Sequence, residues 1–266
     1  MVEPAINSGS HKSLGTLQRD MKLLSVNMEG LKHQERISAL IGRQNPECIC
    51  LQEMPEVYLG TLQSLGYYVT FAPMMVEHKT EPFICGVAMA TKQPIPIKVV
   101  RYFGNAGLAI HRPREDETGT VSYRYLSAAV PTAAGEIQVV TTHMLVTPDG
   151  RENDEQNACV DALFAAVEKE PAHIFCGDFN MPRGYNKNYE RFLERYTDAV
   201  PASYASSLDR TLHRMGNDPT LNEPIFDRYM VDYVFTQPPF VARDVSLEFG
   251  VSDHAAVIAE VEIATS

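Results

Sequence analysis

The clearest signal for the fold lies in the segment His173-Ile174-Phe175-Cys176-Gly177-Asp178-Phe179-Asn180-Met181-Pro182. Its apolar centre predicts a short buried strand. Gly177 then permits a close backbone approach, and Pro182 prevents further strand pairing. Asp178 and Asn180 are two positions apart, so an extended chain would point both side chains the same way. The stretch alone fits either a strand followed by an Asx turn or a strand that delivers an acid and an amide to a site for water and phosphate.

The composition predicts one large folded domain. The chain has 266 residues, of which 44% are hydrophobic, and this is enough for a sizeable core. Its formal net charge is −11, so the surface as a whole has no general attraction for nucleic acid, although cations in a site can neutralise phosphate locally. The polar first twenty residues predict a flexible tail over 1–20 instead of a signal peptide, with the domain over 21–266.

The cysteines and the hydropathy pattern bear on the compartment. The five cysteines are odd in number and mostly lie in apolar segments, which predicts buried free thiols and a reducing, cytoplasmic location. Cys48 and Cys50 do not have the spacing of a zinc knuckle. No apolar run approaches the length of a membrane span, so stable membrane insertion is not expected.

The order of the predicted elements favours two packed sheets with flanking helices over a doubly wound parallel sheet. Strands and helices alternate early in the chain, and strands dominate later. Besides the central strand, the predicted strands are 22–27, 48–51, 67–71, 83–90, 97–103, 123–130, 137–142, 231–236, 244–249 and 255–263, and the predicted helices are 33–45, 56–65, 152–170 and 185–195. Weak periodicity over 201–227 predicts a long functional or surface loop.

Polar residues end several of these strands. Glu53 alone would serve as the first acid of the next helix, and His143 alone would serve as an ordinary turn histidine. Asp232 is harder to explain, because an acid inside an apolar strand is costly unless it is paired, and His254 follows one strand later. Together these ends predict a shared polar rim, made of Asn27, Glu29, Glu53, His143, Asp178, Asn180, Asp232, Asp253 and His254.

The residue types of this rim indicate a reaction class. Oxygen ligands without cysteine favour Mg²⁺ or Mn²⁺. A histidine held by a buried acid is typical of acid–base sites. Motifs of phosphate-binding loops, zinc proteases and serine hydrolases are absent from the sequence. The pattern predicts metal-assisted attack of water on a phosphate ester.

Seven segments in order make the chain resemble the endonuclease/exonuclease/phosphatase (DNase I-like) superfamily. They are Ser25–Leu31, Leu51–Glu53, Gly86–Ala88, Thr142–His143, Gly177–Asn180, Val231–Phe235 and Ser252–His254. The resemblance implies a four-layer α/β sandwich of two mixed sheets flanked by helices, with 21–266 as the catalytic domain.

The resemblance also implies a metal site. Glu53 would be the principal Mg²⁺ ligand, and Asn27 would lie beside the metal and the phosphate. Asp253 matches a residue near a second metal or the phosphate. Glu29 matches a second acid that only some members have.

The remaining rim residues take implied catalytic roles. His143 matches a histidine that contacts the scissile phosphate. Asp178 would orient or activate the attacking water, and Asn180 would help to hold the water or the phosphate. Asp232 would pair with His254.

The substrate stays open at this point. The segments 27–31 and 53–58 are slightly similar to the tyrosyl-DNA phosphodiesterase 2 branch, whereas Asp178-Phe179-Asn180 is the generic form of the central motif. The leading hypothesis is a phosphodiesterase or nuclease for nucleic acid or a nucleic-acid adduct. The alternatives are a sphingomyelinase-like or inositol-phosphatase-like hydrolase and a non-catalytic binding module. Four arginines around the 104–120 loop, Arg101, Arg112, Arg114 and Arg124, fit a solvated loop or phosphate binding equally well.

Overall fold

The apolar segments form twelve strands in two sheets over the part of the chain that the structure describes. The computed structural model describes residues 21–78, 81–111, 117–216 and 226–264, so the expected tail over 1–20 lies outside it. The strands are β1 (Met21–Asn27), β2 (Cys48–Pro55), β3 (Tyr68–His78), β4 (Pro82–Thr91), β5 (Lys98–Gly104), β6 (Ser122–Thr132), β7 (Gly135–His143), β8 (Ile174–Asp178), β9 (Thr197–Asp198), β10 (Asp232–Thr236), β11 (Phe240–Glu248) and β12 (Ala256–Ile263). The helices are α1 (Gln34–Gln44), α2 (Leu59–Ser64), α3 (Glu117–Thr120), α4 (Asp154–Val167) and α5 (Lys187–Leu193).

Each sheet contains six strands of mixed direction. The first sheet has the order β11-β12-β1-β2-β4-β3, and the second has the order β5-β6-β7-β8-β10-β9. The pairs β1–β2 and β7–β8 are parallel, and the other pairs are antiparallel. This arrangement confirms the expected sandwich of two mixed sheets with flanking helices.

Strand β2, which lies inside the first sheet, shows why the layers form. Cys48 and Cys50 belong to the core that joins the two sheets. Ile49 and Leu51, which point the other way, pack in the second core under α1. A strand buried on both faces reads as a nearly continuous apolar run, as this one does.

The outer face of the second sheet is covered by aromatic side chains. The Phe175 ring lies 5.0 Å from the Phe179 ring and 6.1 Å from the Phe192 ring of α5, measured between centroids. Phe192 in turn lies 4.8 Å from Phe164 of α4. These rings fix α4 and α5 against β8 and so anchor the strand that carries the central motif.

Several element bounds differ from the sequence prediction, and bulges explain two of them. β3 continues to His78 because a register shift at Pro73 to Met75 accommodates the proline. β2 continues to Pro55 through a register shift between Leu51 and Met54. The helix predicted over 56–65 divides into a 3₁₀ turn at Glu56–Tyr58 and α2. The strand predicted over 244–249 begins at Phe240, and the two-residue β9 had no sequence signal.

The five cysteines are all buried and free, as predicted. Across the described ranges, no helix combines the length and the apolarity that crossing a bilayer needs.

Candidate active site

The strand ends that carry the predicted site residues meet at one end of the sandwich. The Asn27 side chain, at the end of β1 in the first sheet, donates hydrogen bonds to Asp178 Oδ2 of the second sheet at 3.0 Å and to Glu53 Oε1 at 3.2 Å. Asn27 and Asp178 are almost fully buried. One amide therefore holds two carboxylates, and the polar rim spans both sheets.

Gly177 explains how β8 delivers Asp178 to this rim. Its φ angle is +143°, and a Cβ atom at this position would lie only 2.1 Å from the carbonyl oxygen of Thr142 in β7. Only glycine fits so close to the neighbouring strand. The close backbone approach that the sequence predicts at Gly177 is present.

A bulge aims Glu53 at the site. The register shift in β2 spans Gln52 and Glu53, and Glu53 has a left-handed φ of 47°. Bulges commonly redirect a side chain in this way. Glu29 and Asn180 are left-handed too, with φ values of 51° and 52°. Non-glycine residues adopt this conformation at an energetic cost, and such strain concentrates at functional sites.

The structure corrects the local geometry expected for Asp178 and Asn180. The sequence pattern predicted an extended chain that points both side chains the same way, but β8 ends at Asp178 and the chain turns left-handed at Asn180. The turn is closed by a hydrogen bond of 2.9 Å from the Asn180 backbone N–H to Asp178 Oδ1. This bond makes the Asx turn that the sequence had left open as an alternative, and the turn replaces a continued strand.

His143 lies between the acids and the amide. Its Nε2 atom is 3.2 Å from Asn180 Nδ2, 3.6 Å from Asp178 Oδ2 and 4.0 Å from Glu53 Oε1. Asn180 is fixed by a second bond of 2.9 Å from Nδ2 to the Met144 carbonyl. Four of the predicted residues therefore face one small volume: Glu53, His143, Asp178 and Asn180.

Asp232 and His254 form a buried pair. Asp232 Oδ2 and His254 Nδ1 are 2.7 Å apart, with Asp232 opposite Asp178 in the β10–β8 register. Burial by itself lowers the pKa of His254, but the charges of Asp232 and Asp178 outweigh burial and raise it well above its usual range. The imidazole is therefore held as a cation beside Asp178.

Ser207 supports this pair and was not identified from the sequence. Its hydroxyl donates to Asp232 Oδ2 at 2.6 Å and accepts the backbone N–H groups of Val231 and Asp232 at 3.1 Å and 3.2 Å. The adjacent Leu208 forms a β-bridge with His254. Ser207 lies in the long loop predicted over 201–227, where no periodic pattern distinguishes a buried serine from a surface one.

Asp253 and Glu29 complete the acidic side of the rim. Burial raises the pKa of Asp253 to about 7; His254 opposes this, and the charges of Glu53 and Glu29 add to it. Glu29 forms an ion pair with Lys32, and its Oε2 lies 3.0 Å from His33 Nε2. Around Asp253, the rim therefore has more negative charge than the nearby cationic side chains balance.

The donor set fits a divalent cation. Glu53, Asp253 and Asn27 offer only oxygen ligands, which hard cations such as Mg²⁺ prefer. Burial is the main cause of the raised pKa of Asp253, the charges of Glu53 and Glu29 add to it, and a bound cation would favour the ionised carboxylate. The tightest acid–histidine group among the described residues is a different one, with the ligand atoms of Asp178, Asp232 and His254 within 4.8 Å of one another. Its histidine Nδ1 is already engaged by Asp232, so we interpret it as an acid–base pair.

Two arginines extend this end of the second sheet. Arg101 lies directly opposite Arg124 in the β5–β6 register, and Arg124 is one position beyond the Tyr125–Thr142 pair, beside His143. Neither arginine forms an ion pair within the described ranges, although like charges directly opposite one another destabilise a sheet. Burial and then Arg101 lower the pKa of Arg124. Arg112 and Arg114 lie outside the described residues.

Comparisons with known proteins agree with this architecture. A family model described as "Endonuclease/Exonuclease/phosphatase family" matches residues 24–254, whereas a comparison with curated proteins finds no significant match. An endonuclease/exonuclease/phosphatase from Beutenbergia cavernae has a TM-score of 0.69 at 16% identity, over 93% of this chain and 72% of that chain. A family protein from Leptotrichia buccalis has a TM-score of 0.67 at 20% identity, over 91% and 100%. TDP2 from D. rerio, solved with a single-strand DNA product, has a TM-score of 0.65 at 14% identity, over 91% and 99%.

Proposed function

We propose that this chain, which belongs to the endonuclease/exonuclease/phosphatase family, is a Mg²⁺-dependent phosphodiesterase that acts on nucleic acid or a nucleic-acid adduct. Members of the family are generally metal-dependent phosphoesterases. The observation that carries the proposal is the convergence of Asn27, Glu53 and Asp178 from two sheets, with a charged histidine beside them. Acids held this close together have little structural value without a ligand to balance them.

The roles follow from the contacts. Glu53 would be the principal metal ligand, with Asn27 and Asp253 beside it and Glu29 at the edge. When bound, the cation supplies positive charge that polarises the phosphate. Mn²⁺ prefers similar oxygen ligands and would serve in place of Mg²⁺.

Asp178 would act on the attacking water. Its two oxygens are fixed by the Asn27 amide and the Asn180 backbone N–H, so the carboxylate is held in one orientation. The water oxygen would bond to phosphorus while its proton passes to Asp178, and the ester P–O bond would break with its electron pair on the leaving oxygen, which takes up a proton from solvent.

The two histidines would stabilise the charge that develops on the phosphate. Asp232 keeps His254 cationic, and a fixed cation in a buried site costs no reorganisation during the reaction. His143 and Asn180 face the same volume and would bind a phosphate oxygen. Arg101 and Arg124 add positive charge next to His143.

The choice of nucleic acid rests on fold similarity to TDP2, which was solved with a single-strand DNA product. The free, buried cysteines support a cytoplasmic location for the reaction.

A substrate panel with Mg²⁺, Mn²⁺ or EDTA tests the proposal. The panel contains single- and double-stranded DNA, an abasic duplex, a 5′-tyrosyl oligonucleotide, sphingomyelin and an inositol polyphosphate. We expect cleavage of a nucleic-acid substrate that EDTA abolishes and that Glu53→Gln lowers at least about 100-fold. Glu248→Gln is the matched control, because it removes an ion-paired carboxylate at β11, and it should keep full activity.

Three outcomes would contradict the proposal. Hydrolysis that survives EDTA or Glu53→Gln would exclude the assigned metal site. Cleavage of only sphingomyelin or the inositol phosphate would favour the lipid or inositol hydrolase. No turnover of any substrate and no heat on titration with Mg²⁺ would favour a binding module.

A further inference from the structure

A tyrosine lies between two arginines in the loops next to the candidate active site. The guanidinium carbon of Arg151 is 4.5 Å from the centroid of the Tyr185 ring, and that of Arg228 is 4.4 Å from the same centroid. The Tyr229 ring packs 6.5 Å from Tyr185. We call Arg151, Tyr185 and Arg228 the arginine–tyrosine platform.

The platform belongs to the same end of the sheet as the catalytic residues. Tyr185 follows Asn180 by five residues, Arg151 follows His143 by eight, and Arg228 precedes Asp232 by four. The strands concerned, β7, β8 and β10, are neighbours in the second sheet. The three loops therefore leave one sheet edge side by side.

The loops are fastened together, so the platform is preorganised. The Tyr229 hydroxyl donates to the Asp149 carbonyl at 2.7 Å, and Asn186 Nδ2 donates to the Gly150 carbonyl at 3.0 Å. At Gly150 even a Cβ atom would lie 2.5 Å from the Tyr229 hydroxyl. A side chain there would push the loops apart.

Among the described residues, the charges of the platform have no anionic partner. Both guanidinium groups are exposed, and neither forms an ion pair with a carboxylate in the part of the chain that the structure describes. The nearby acids are engaged elsewhere: Asp149 accepts the Arg151 backbone N–H, Glu152 pairs with Lys187, and Asp227 pairs with Arg210. The guanidinium carbons of Arg151 and Arg228 lie 4.5 Å and 4.4 Å from the same ring centroid, so two like charges are held close together.

We propose that the arginine–tyrosine platform is a binding subsite for non-scissile phosphates of a single-stranded oligonucleotide. A guanidinium group binds phosphate through its N–H groups and stacks on bases through its plane. Two guanidinium groups fixed on one ring therefore suit a single strand, which offers both phosphates and unpaired bases. Exposed cation–π contacts are weak, so they do not by themselves explain why two like charges share one ring. The chain as a whole has a formal net charge of −11, so two arginines with no carboxylate partner among the described residues form a local positive patch on an acidic protein. The inference rests on the proposed function, because it extends that site toward the rest of a nucleic-acid strand.

Salt-dependent binding tests the subsite without any hydrolysis. A fluorescein-labelled, ten-nucleotide single-stranded DNA is titrated in EDTA at several salt concentrations, and binding is followed by fluorescence anisotropy. For single strands the slope of log K against log salt changes by roughly 0.7 for each phosphate contact. Arg151→Ala combined with Arg228→Ala should therefore reduce the slope by about 1.4 and weaken binding at low salt about tenfold.

Arg195→Ala is the matched control. Arg195 also stacks on a ring, with its guanidinium carbon 4.1 Å from the Phe164 centroid, but it faces Glu168 and Glu194 at the opposite end of β8. This variant should leave the slope unchanged. Tyr185→Phe, which keeps the ring, should also bind normally.

The outcomes separate the subsite from catalysis. An unchanged slope in the double variant, or an equal loss in Arg195→Ala, would overturn the subsite even if the protein cleaves DNA. The expected slope change in a protein that cleaves nothing on the panel would support the subsite and contradict the catalytic proposal. In an active protein, the double variant should raise KM for the oligonucleotide and leave cleavage of bis(p-nitrophenyl) phosphate unchanged.

Discussion

Strand β8 connects two regions that are built in opposite ways. Around Phe175, aromatic rings pack against one another with centroids 5.0–6.1 Å apart. Three residues later, Asp178 lies within hydrogen-bonding or ion-pair distance of Asn27, His143 and His254. The first region is stabilised by what it buries, whereas the second holds buried charges that oppose one another until a ligand binds. The same strand therefore stabilises the fold at Phe175 and carries a proposed catalytic residue at Asp178.

The largest effect should come from Asp178→Asn, which changes one atom in the polar region. It removes the group proposed to accept the water proton and should lower kcat/KM about 10²–10⁴-fold. It also removes one negative charge from a cluster of acids, which offsets the loss of one of the two hydrogen bonds that the Asp178 oxygens accept, so the free energy of unfolding in EDTA should change little. Steady-state kinetics and urea unfolding measure the two quantities.

A large loss of stability in Asp178→Asn would contradict the contrast between the two regions. It would mean that the polar end of β8 supports the fold as the aromatic end does. Asp161→Asn, in an exposed carboxylate of α4 paired with Arg191, is a control that should change neither quantity appreciably.

Phe175→Ala should reverse the pattern. The ring is fully buried, and its truncation should lower the free energy of unfolding by about 3–5 kcal/mol through lost burial and a cavity. At a low temperature, where the variant remains folded, kcat/KM should stay within a few-fold of the wild type. If the activity falls by much more than the fraction of unfolded protein explains, the aromatic region positions the site directly.

The sequence was sufficient to predict the apolar region around Phe175 and much of the polar region around Asp178. Apolar runs located β2 and β8, and the seven ordered motifs located the residues that the structure brings together, such as Asn27 and Asp178. The sequence offered an Asx turn at Asp178 but could not distinguish it from a continued strand, and it did not reveal the bulge at Glu53, because a left-handed residue leaves no apolar pattern. Ser207 was missed for a related reason: its burial depends on contacts with β10, which are distant in sequence.

Two histidines should reveal the contrast through opposite pH dependence. His173, just before β8, is buried, and burial lowers its pKa below the ordinary 6.5 although the Pro171 carbonyl and the charge of Glu170 oppose the shift. The unfolded chain binds this proton first, so stability falls as the pH drops below about 6.5. The raised pKa of His254 has the other sign: its contribution is complete below about pH 6.5 and is lost as the pH rises through the folded pKa.

Unfolding free energies measured in EDTA across this pH range test the signs. His173→Gln should remove the loss on the acid side, and His254→Gln should remove the loss on the alkaline side. Each proton contributes a slope of at most about 1.4 kcal/mol per pH unit. Slopes of the same sign for both histidines would contradict the assigned environments.

The smallest effect compares two left-handed residues with different surroundings. Glu53 has a φ of 47° in the polar rim, and Asn45 has a φ of 44° at the end of α1, where it caps the helix by donating to the Ile41 carbonyl. Glycine adopts this conformation without a Cβ penalty, so Glu53→Gly and Asn45→Gly should each raise the free energy of unfolding by up to about 1 kcal/mol. Only Glu53→Gly should abolish Mg²⁺ binding in calorimetry and with it hydrolysis. If Glu53→Gly is instead destabilising, the left-handed turn is held by contacts of the carboxylate itself, and the strain at this position is not a cost that function imposes on the fold.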